Sequence, residues 1–244
     1  ITPLPIIEQA FEDAKAGYTK YTDCRGYKEL REEIAKYYKE EFGMQVSDEE
    51  IMVTASGCIA MYLALEAILD DGDEVIVPTP YFTLYKTQIE LARGKIVELD
   101  TFEEEHWQID ADRLESCITP KTKVIIINSP NNPVGAVYTR ENLEALAALL
   151  ARKEAELGRK IYVISDEPYR EIVYDGVQVP FVPHFYNDTI ICYSYSKSLS
   201  LPGERIGYLL IPDAVEEFED TVAAASVANR ILGFVNAPSL FQRV

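Results

Sequence analysis

Lys197 lies in the run Ser194-Tyr195-Ser196-Lys197-Ser198-Leu199-Ser200-Leu201-Pro202-Gly203-Glu204-Arg205, among small hydroxyl residues and eight positions before a guanidinium. An amine that is partly desolvated beside another cation has a lowered pKa and forms a Schiff base with a carbonyl. Arg205 and the serine hydroxyls suit a phosphate. The run therefore describes a site for an aldehyde that carries a phosphate. Its bland alternative is a polar loop with a surface lysine.

The preceding apolar segment, Thr189 to Tyr193, reads as a buried strand, which places Lys197 on a loop at that strand's C-terminal end. Open parallel sheets bind ligands along that edge. Three more strands deliver polar residues in the same way. Lys123 to Asn128 leads into Ser129-Pro130-Asn131-Asn132-Pro133-Val134-Gly135, a rigid loop with amide side chains. Ile161 to Ser165 leads into Asp166-Glu167-Pro168-Tyr169, and Ile51 to Ala55 leads into Ser56-Gly57-Cys58 and an apolar helix from Ile59 to Leu69. Convergence of these ends on one edge makes a cofactor crevice, with pyridoxal 5'-phosphate the candidate aldehyde.

Taken in order, Tyr21, Ser56-Gly57-Cys58, Pro80-Tyr81-Phe82, Asn131 to Gly135, Asp166-Glu167-Pro168-Tyr169, and Ser194-x-x-Lys197 with Arg205 make the chain resemble the class I/II aminotransferases, a family of fold-type I pyridoxal phosphate enzymes. The resemblance implies a three-layer αβα fold around a mainly parallel sheet. It implies that Lys197 binds the cofactor aldehyde and acts as general acid/base, and that Asp166 pairs with the pyridinium nitrogen. Asn132 and Tyr169 would hydrogen-bond the ring's phenolate oxygen, and Phe82, with Tyr81 as runner-up, would stack on the ring. Backbone N–H groups at Gly57 and Cys58 would receive the phosphate at a helix N-terminus, with Ser56, Ser194 and Arg205 completing the cup. Cys58 stands where the family often has a small hydroxyl residue or alanine, and is read as a backbone donor rather than a nucleophile. Tyr21 resembles the tyrosine that reaches the neighbouring subunit's phosphate, which implies a homodimer with shared sites.

Each residue also has an ordinary reading. Asp166 could cap a helix, Asn132 could serve a turn, Gly57 could punctuate a helix start, Tyr21 could be a surface tyrosine, and Tyr169 or Phe82 could be core aromatics. With 16 tyrosines in the chain, identity alone says little about Tyr169; its place three residues after Asp166 carries the weight.

The remaining pattern positions these loops. Helices are expected over Pro3 to Ala16, Tyr27 to Phe42, Leu84 to Ala92, Asp110 to Cys117, Arg140 to Glu156 and Asp213 to Ala228; Leu30, Ile34 and Tyr38 recur at helical spacing. Ser47-Asp48-Glu49-Glu50 has the form of a capping box. Strands are expected over Asp73 to Val77, Lys95 to Leu99 and Ile206 to Ile211. Alternating strands and helices argue an α/β protein with a mainly parallel sheet.

Among 244 residues, 23 are Lys or Arg and 41 Asp or Glu, a net charge of −18 that disfavours nonspecific nucleic-acid binding. Four scattered cysteines and two histidines lack metal-ligand spacing, so no metal is expected and reduced thiols in the cytoplasm fit best. No stretch reaches the roughly 20 apolar residues of a membrane helix. The family runs longer, so residues 1–244 read as its cofactor-binding large domain, with the N-terminal arm and small C-terminal domain outside the chain. The arginine for the substrate α-carboxylate is expected there too, since neither Arg230 nor Arg243 matches its context. The expected activity is transfer of an amino group from an amino acid to a 2-oxo acid. A β-eliminating carbon–sulfur lyase would use the same residues, and a noncatalytic aminotransferase-like sensor domain is the rival outside catalysis.

Overall fold

In the computed structural model, which describes residues 2–244, seven strands form a single sheet. They are β1 (Ile51–Thr54), β2 (Glu74–Thr79), β3 (Lys95–Asp100), β4 (Thr122–Asn128), β5 (Tyr162–Asp166), β6 (Thr189–Ser194) and β7 (Gly207–Leu210). Their spatial order is β1-β7-β6-β5-β4-β2-β3. Strands β3, β2, β4, β5 and β6 pair in parallel, whereas β7 is antiparallel to both β6 and β1. The C-terminal ends of six strands and the N-terminal end of β7 thus lie along one edge. That geometry brings Arg205, two residues before β7, to the edge where Lys197 leaves β6.

The helices are α1 (Leu4–Lys15), α2 (Lys28–Phe42), α3 (Gly57–Ile68), α4 (Leu84–Leu91), α5 (Ala111–Cys117), α6 (Arg140–Leu157), α7 (Tyr195–Ser198) and α8 (Phe218–Ile231). The three layers follow from strand alternation, since successive side chains of a strand point to opposite faces. Val75, Val77, Val124, Ile126 and Ile164 join α3, α4 and α8 in one core. Ile76, Ile125, Ile127 and Val163 join α5 and α6 in another, which Ile51, Val53, Ile191 and Tyr193 continue under α2. Strands apolar on both faces are what a sheet covered on both sides requires.

Two local expectations are corrected. Lys197 sits on α7, a one-turn helix, and not on a loop; Ser194 caps it, with Oγ accepting from Ser196 N–H. The last helix starts at Phe218 instead of Asp213. Asp213 N–H is taken by Glu50 Oε2 (3.0 Å), and Glu217 turns the chain at φ 57°, so the segment between them cannot join the helix. The capping box forms as expected, with Ser47 N–H donating to Glu50 Oε1 (2.7 Å), but on a single 3-10 turn.

Candidate active site

At the shared strand edge a cavity of about 230 Å³ opens. Ser56, Gly57, Cys58, Phe82, Asn132, Asp166, Tyr169, Ser194, Lys197 and Arg205 all line it. These residues come from the ends of β1, β4, β5 and β6, the approach to β7, the start of α3 and the turn before α4. Tyr21 does not join them: it lies 85 % exposed and outside the cavity lining.

One end of the cavity is built for an anion. Gly57 begins α3, and the Ser56 side chain makes no cap hydrogen bond there, so the first N–H groups of the helix face the cavity end without an intrahelical partner. Ser56 is only 1 % exposed, yet its Oγ has no hydrogen-bond partner among the described residues, and its backbone is held at φ 104°, a region side chains rarely adopt. A buried, unpaired hydroxyl is costly. A phosphate oxygen would satisfy it.

Small residues at two positions make this approach possible. A Cβ on Gly57 would lie 3.0 Å from Ser194 Cβ, and one on Gly207 would lie 2.7 Å from Gly57 N. Gly207, not identified in the sequence, therefore lets β7 pass close behind the anion end. Arg205 is exposed and uses one donor on Pro202 O (2.9 Å). Ser194 Oγ and Ser196 Oγ lie 2.9 Å apart, which adds Ser196 to the same wall.

The other end holds a carboxylate under strain of burial. Burial pushes the Asp166 pKa up from 3.8 to about 7, with Glu167 adding to the rise and a hydrogen bond from Tyr85 opposing it. Tyr85 Oη donates to Asp166 Oδ2 at 2.5 Å, and Asn128 Nδ2 donates to the Asp166 carbonyl at 2.8 Å. Asn128 Oδ1 in turn accepts from Asn132 N–H at 2.7 Å, so one amide fixes two strand ends. A carboxylate in this position favours a cationic partner. A protonated ring nitrogen would be one.

Between the two ends, burial and the Asp166 charge raise the Tyr169 pKa, and the neighbouring Asn132 amide opposes that rise. Lys197 Nζ stands 5.8 Å from the Tyr169 ring centroid. The lysine is exposed, not desolvated as its sequence setting suggested, because nothing in α7 covers it. Phe82 reaches the cavity, edge-on to Tyr85 with ring centroids 5.7 Å apart, whereas Tyr81 turns away to donate to Glu98 Oε1 (2.6 Å). Burial raises the Cys58 thiol pKa and Asp166 adds to it, against the pull of Arg205. Such a thiol is a poor nucleophile.

The anion end, the buried carboxylate opposite, the ring-sized apolar face and the intervening amine fit pyridoxal phosphate. Arg230 and Arg243 do not line the cavity; Arg243 is held by Asp13 Oδ2 (3.2 Å) and stacks 3.7 Å from the Tyr18 ring centre. Sequence reasoning also missed Tyr85 and Asn128. Asn128 was visible as the polar terminus of an apolar strand, and Tyr85 follows Phe82 by one helical turn.

Residues 2–244 match the family described as aminotransferase class I and II. The chain is 36% identical over 232 residues to an aspartate aminotransferase of Geobacillus stearothermophilus, covering 93% of this chain and 58% of that protein. It is 40% identical over 216 residues to an aspartate aminotransferase of Thermotoga maritima, covering 88% of this chain and 56% of that one. Among solved structures, an amino transferase from Eubacterium rectale superposes with TM-score 0.95 at 43% identity, covering 99% of this chain and 62% of that chain. An aspartate aminotransferase from Thermus thermophilus with maleate gives 0.86 at 36% identity, covering 99% and 60%. The chain thus spans less than two thirds of the length of each of these relatives.

Proposed function

The chain belongs to the class I and II aminotransferase family, and from that premise we propose that residues 1–244 are the pyridoxal phosphate-binding large domain of an enzyme that moves an amino group from an amino acid to a 2-oxo acid. The observation that carries this reading is the cavity that brings Lys197, Asp166, Tyr169, Asn132, Ser56 and Arg205 together.

When bound, pyridoxal phosphate supplies an electron-accepting ring conjugated to the substrate α-carbon. Lys197 Nζ would hold the aldehyde and, as a positioned amine, would serve as the acid/base for the proton of the substrate α-carbon. Asp166 would favour a proton on the ring nitrogen, and such a cation would offset the burial of its carboxylate. Asn132 and the Tyr169 hydroxyl would orient the ring by hydrogen bonds, while Phe82 would pack on it and exclude water. Ser56, Gly57, Cys58, Ser194 and Arg205 hold the phosphate. Tyr21, exposed and outside its own chain's cavity lining, would reach the phosphate of a second subunit in a homodimer. The family and the absence of any helix long and apolar enough to cross a membrane among the described residues support a cytoplasmic enzyme. The relatives named for aspartate make aspartate the first donor to assay.

Amino acids added to the protein loaded with pyridoxal phosphate should bleach the absorbance of the bound cofactor, and a 2-oxo acid should restore it. In Lys197→Ala this exchange should fall by at least about 10³-fold, the scale of losing a positioned acid/base that also bonds the cofactor. Wild-type turnover in that variant would overturn the reading. Release of pyruvate and ammonia without an added oxo acid would replace transamination with elimination.

A further inference from the structure

Helix α7 carries Lys197 but has only four residues. One turn is not stable by itself, because nucleation fixes several residues for a single hydrogen bond. Its direction must come from outside. Ser194 caps the start, and Tyr195 N–H donates to Ile206 O at 3.2 Å. Neither contact holds the end that follows Lys197.

Within the turn that end is closed by Leu199 N–H to Tyr195 O (3.3 Å) and Ser200 N–H to Lys197 O (3.3 Å), and a chain of hydroxyls and a carboxylate ties it to the neighbouring loop. The Tyr193 hydroxyl lies 2.8 Å from Ser198 Oγ and 2.8 Å from Glu171 Oε2. With one proton to give, the phenol donates to the carboxylate and accepts from the serine. Burial raises the Tyr193 pKa, as does the Glu171 charge, so the phenol stays protonated. Glu171 Oε1 accepts from Tyr37 Oη on α2 at 2.9 Å and lies 3.5 Å from Arg170 Nε. Glu171 follows Tyr169 by two residues, in the turn where Ile172 N–H donates to Tyr169 O (2.8 Å). The network thus ties the loop bearing Tyr169 to the residue next to Lys197. A second cavity of about 290 Å³, lined by Tyr37, Glu171, Tyr193 and Ser198, lies behind α7. The Tyr193 ring is itself packed, 3 % exposed and stacked on Tyr208 with centroids 4.9 Å apart, so its hydroxyl is held in place, while Glu171 and Ser198 border the open space and are oriented by their hydrogen bonds to it.

We propose that Glu171 and Tyr193 are positioning residues for Lys197: together with Ser198 they brace α7 against the Tyr169 loop and set the direction from which the amine meets the cofactor. This rests on the cofactor reading above. Lys197 itself makes no contact with the brace; the effect passes through the helix turn.

The test compares Tyr193→Phe, Ser198→Ala and Ser198→Thr. In the cofactor-free protein, amide hydrogen exchange over Tyr195 to Leu199 should speed up about tenfold in Tyr193→Phe and Ser198→Ala, the effect of one lost hydrogen bond, and stay near wild type in Ser198→Thr, which keeps the hydroxyl. Covalent capture of added pyridoxal phosphate by Lys197 should slow about tenfold in the first two variants and recover in the third. In turnover, kcat should fall with KM little changed. Unchanged exchange in Tyr193→Phe and Ser198→Ala overturns the brace, and so does faster exchange with unchanged capture, which leaves only a structural anchor. A wild-type protein that captures no pyridoxal phosphate sinks the underlying site reading, and is distinguishable because the exchange comparison needs no cofactor.

Discussion

At the end of β5 two consecutive carboxylates enter opposite environments. Asp166 turns into the cavity, with Tyr85 as its side-chain partner. Glu167 turns away, where it accepts from Ser165 Oγ (2.7 Å) and pairs with Arg170. Arg170 is 7 % exposed, and its guanidinium carbon lies 4.9–5.5 Å from the ring centres of Tyr37, Tyr38, Phe42 and Tyr193. Across the edge, Arg205 is exposed, donates to Pro202 O of its own loop and lies close enough to Cys58 to pull on its thiol. One arginine is enclosed by the fold, and the other presents free donors. A charge paired internally is costly to unpair, whereas one left open at a cavity is available to a ligand.

Removing each arginine should break that contrast in opposite ways. Arg170→Ala strands Glu167 in the core, and urea unfolding should show a loss of about 3–5 kcal/mol. Asp166→Asn should act through pH. The folded protein holds the Asp166 proton up to about pH 7, whereas an unfolded aspartate releases it near 4. Stability of the cofactor-free protein therefore falls as pH rises between those values, and the cost is complete above 7. Asp166→Asn, having no proton to lose, should match wild type near pH 4 and exceed it by on the order of 4 kcal/mol at pH 8, measured by thermal melts with the cofactor removed. Arg205→Ala should leave cofactor-free stability within about 0.5 kcal/mol while weakening pyridoxal phosphate binding roughly 10- to 100-fold, as loss of hydrogen bonds to a charged group predicts. Equal destabilisation by the two arginine variants would erase the distinction.

The cavity was more legible than the cage behind it, for a physical reason. Lys197, Asp166, Asn132, Tyr169 and Arg205 each stand just beyond an apolar run or just before one, so strand ends could be read from hydropathy and the shared edge from the α/β pattern. The direction of β7 was not readable, because an apolar run looks the same in either sense; its reversal brings Arg205 to the edge. Helix α7 is too short to show a period. Asp166-Glu167-Pro168-Tyr169 was visible as a polar strand end, but Arg170, the next residue, gains its role from rings on α2 and β6 that are distant in sequence. Tyr85 likewise depends on a partner 81 residues away. Tyr21 remains outside its own chain's cavity, so its proposed role depends on a second subunit.

Borohydride reduction of the protein loaded with pyridoxal phosphate, followed by peptide mapping, tests the central claim most directly. The account predicts one stoichiometric pyridoxyl label on Lys197, lost when the aldehyde is omitted. A label on another lysine, or none at all, would contradict it.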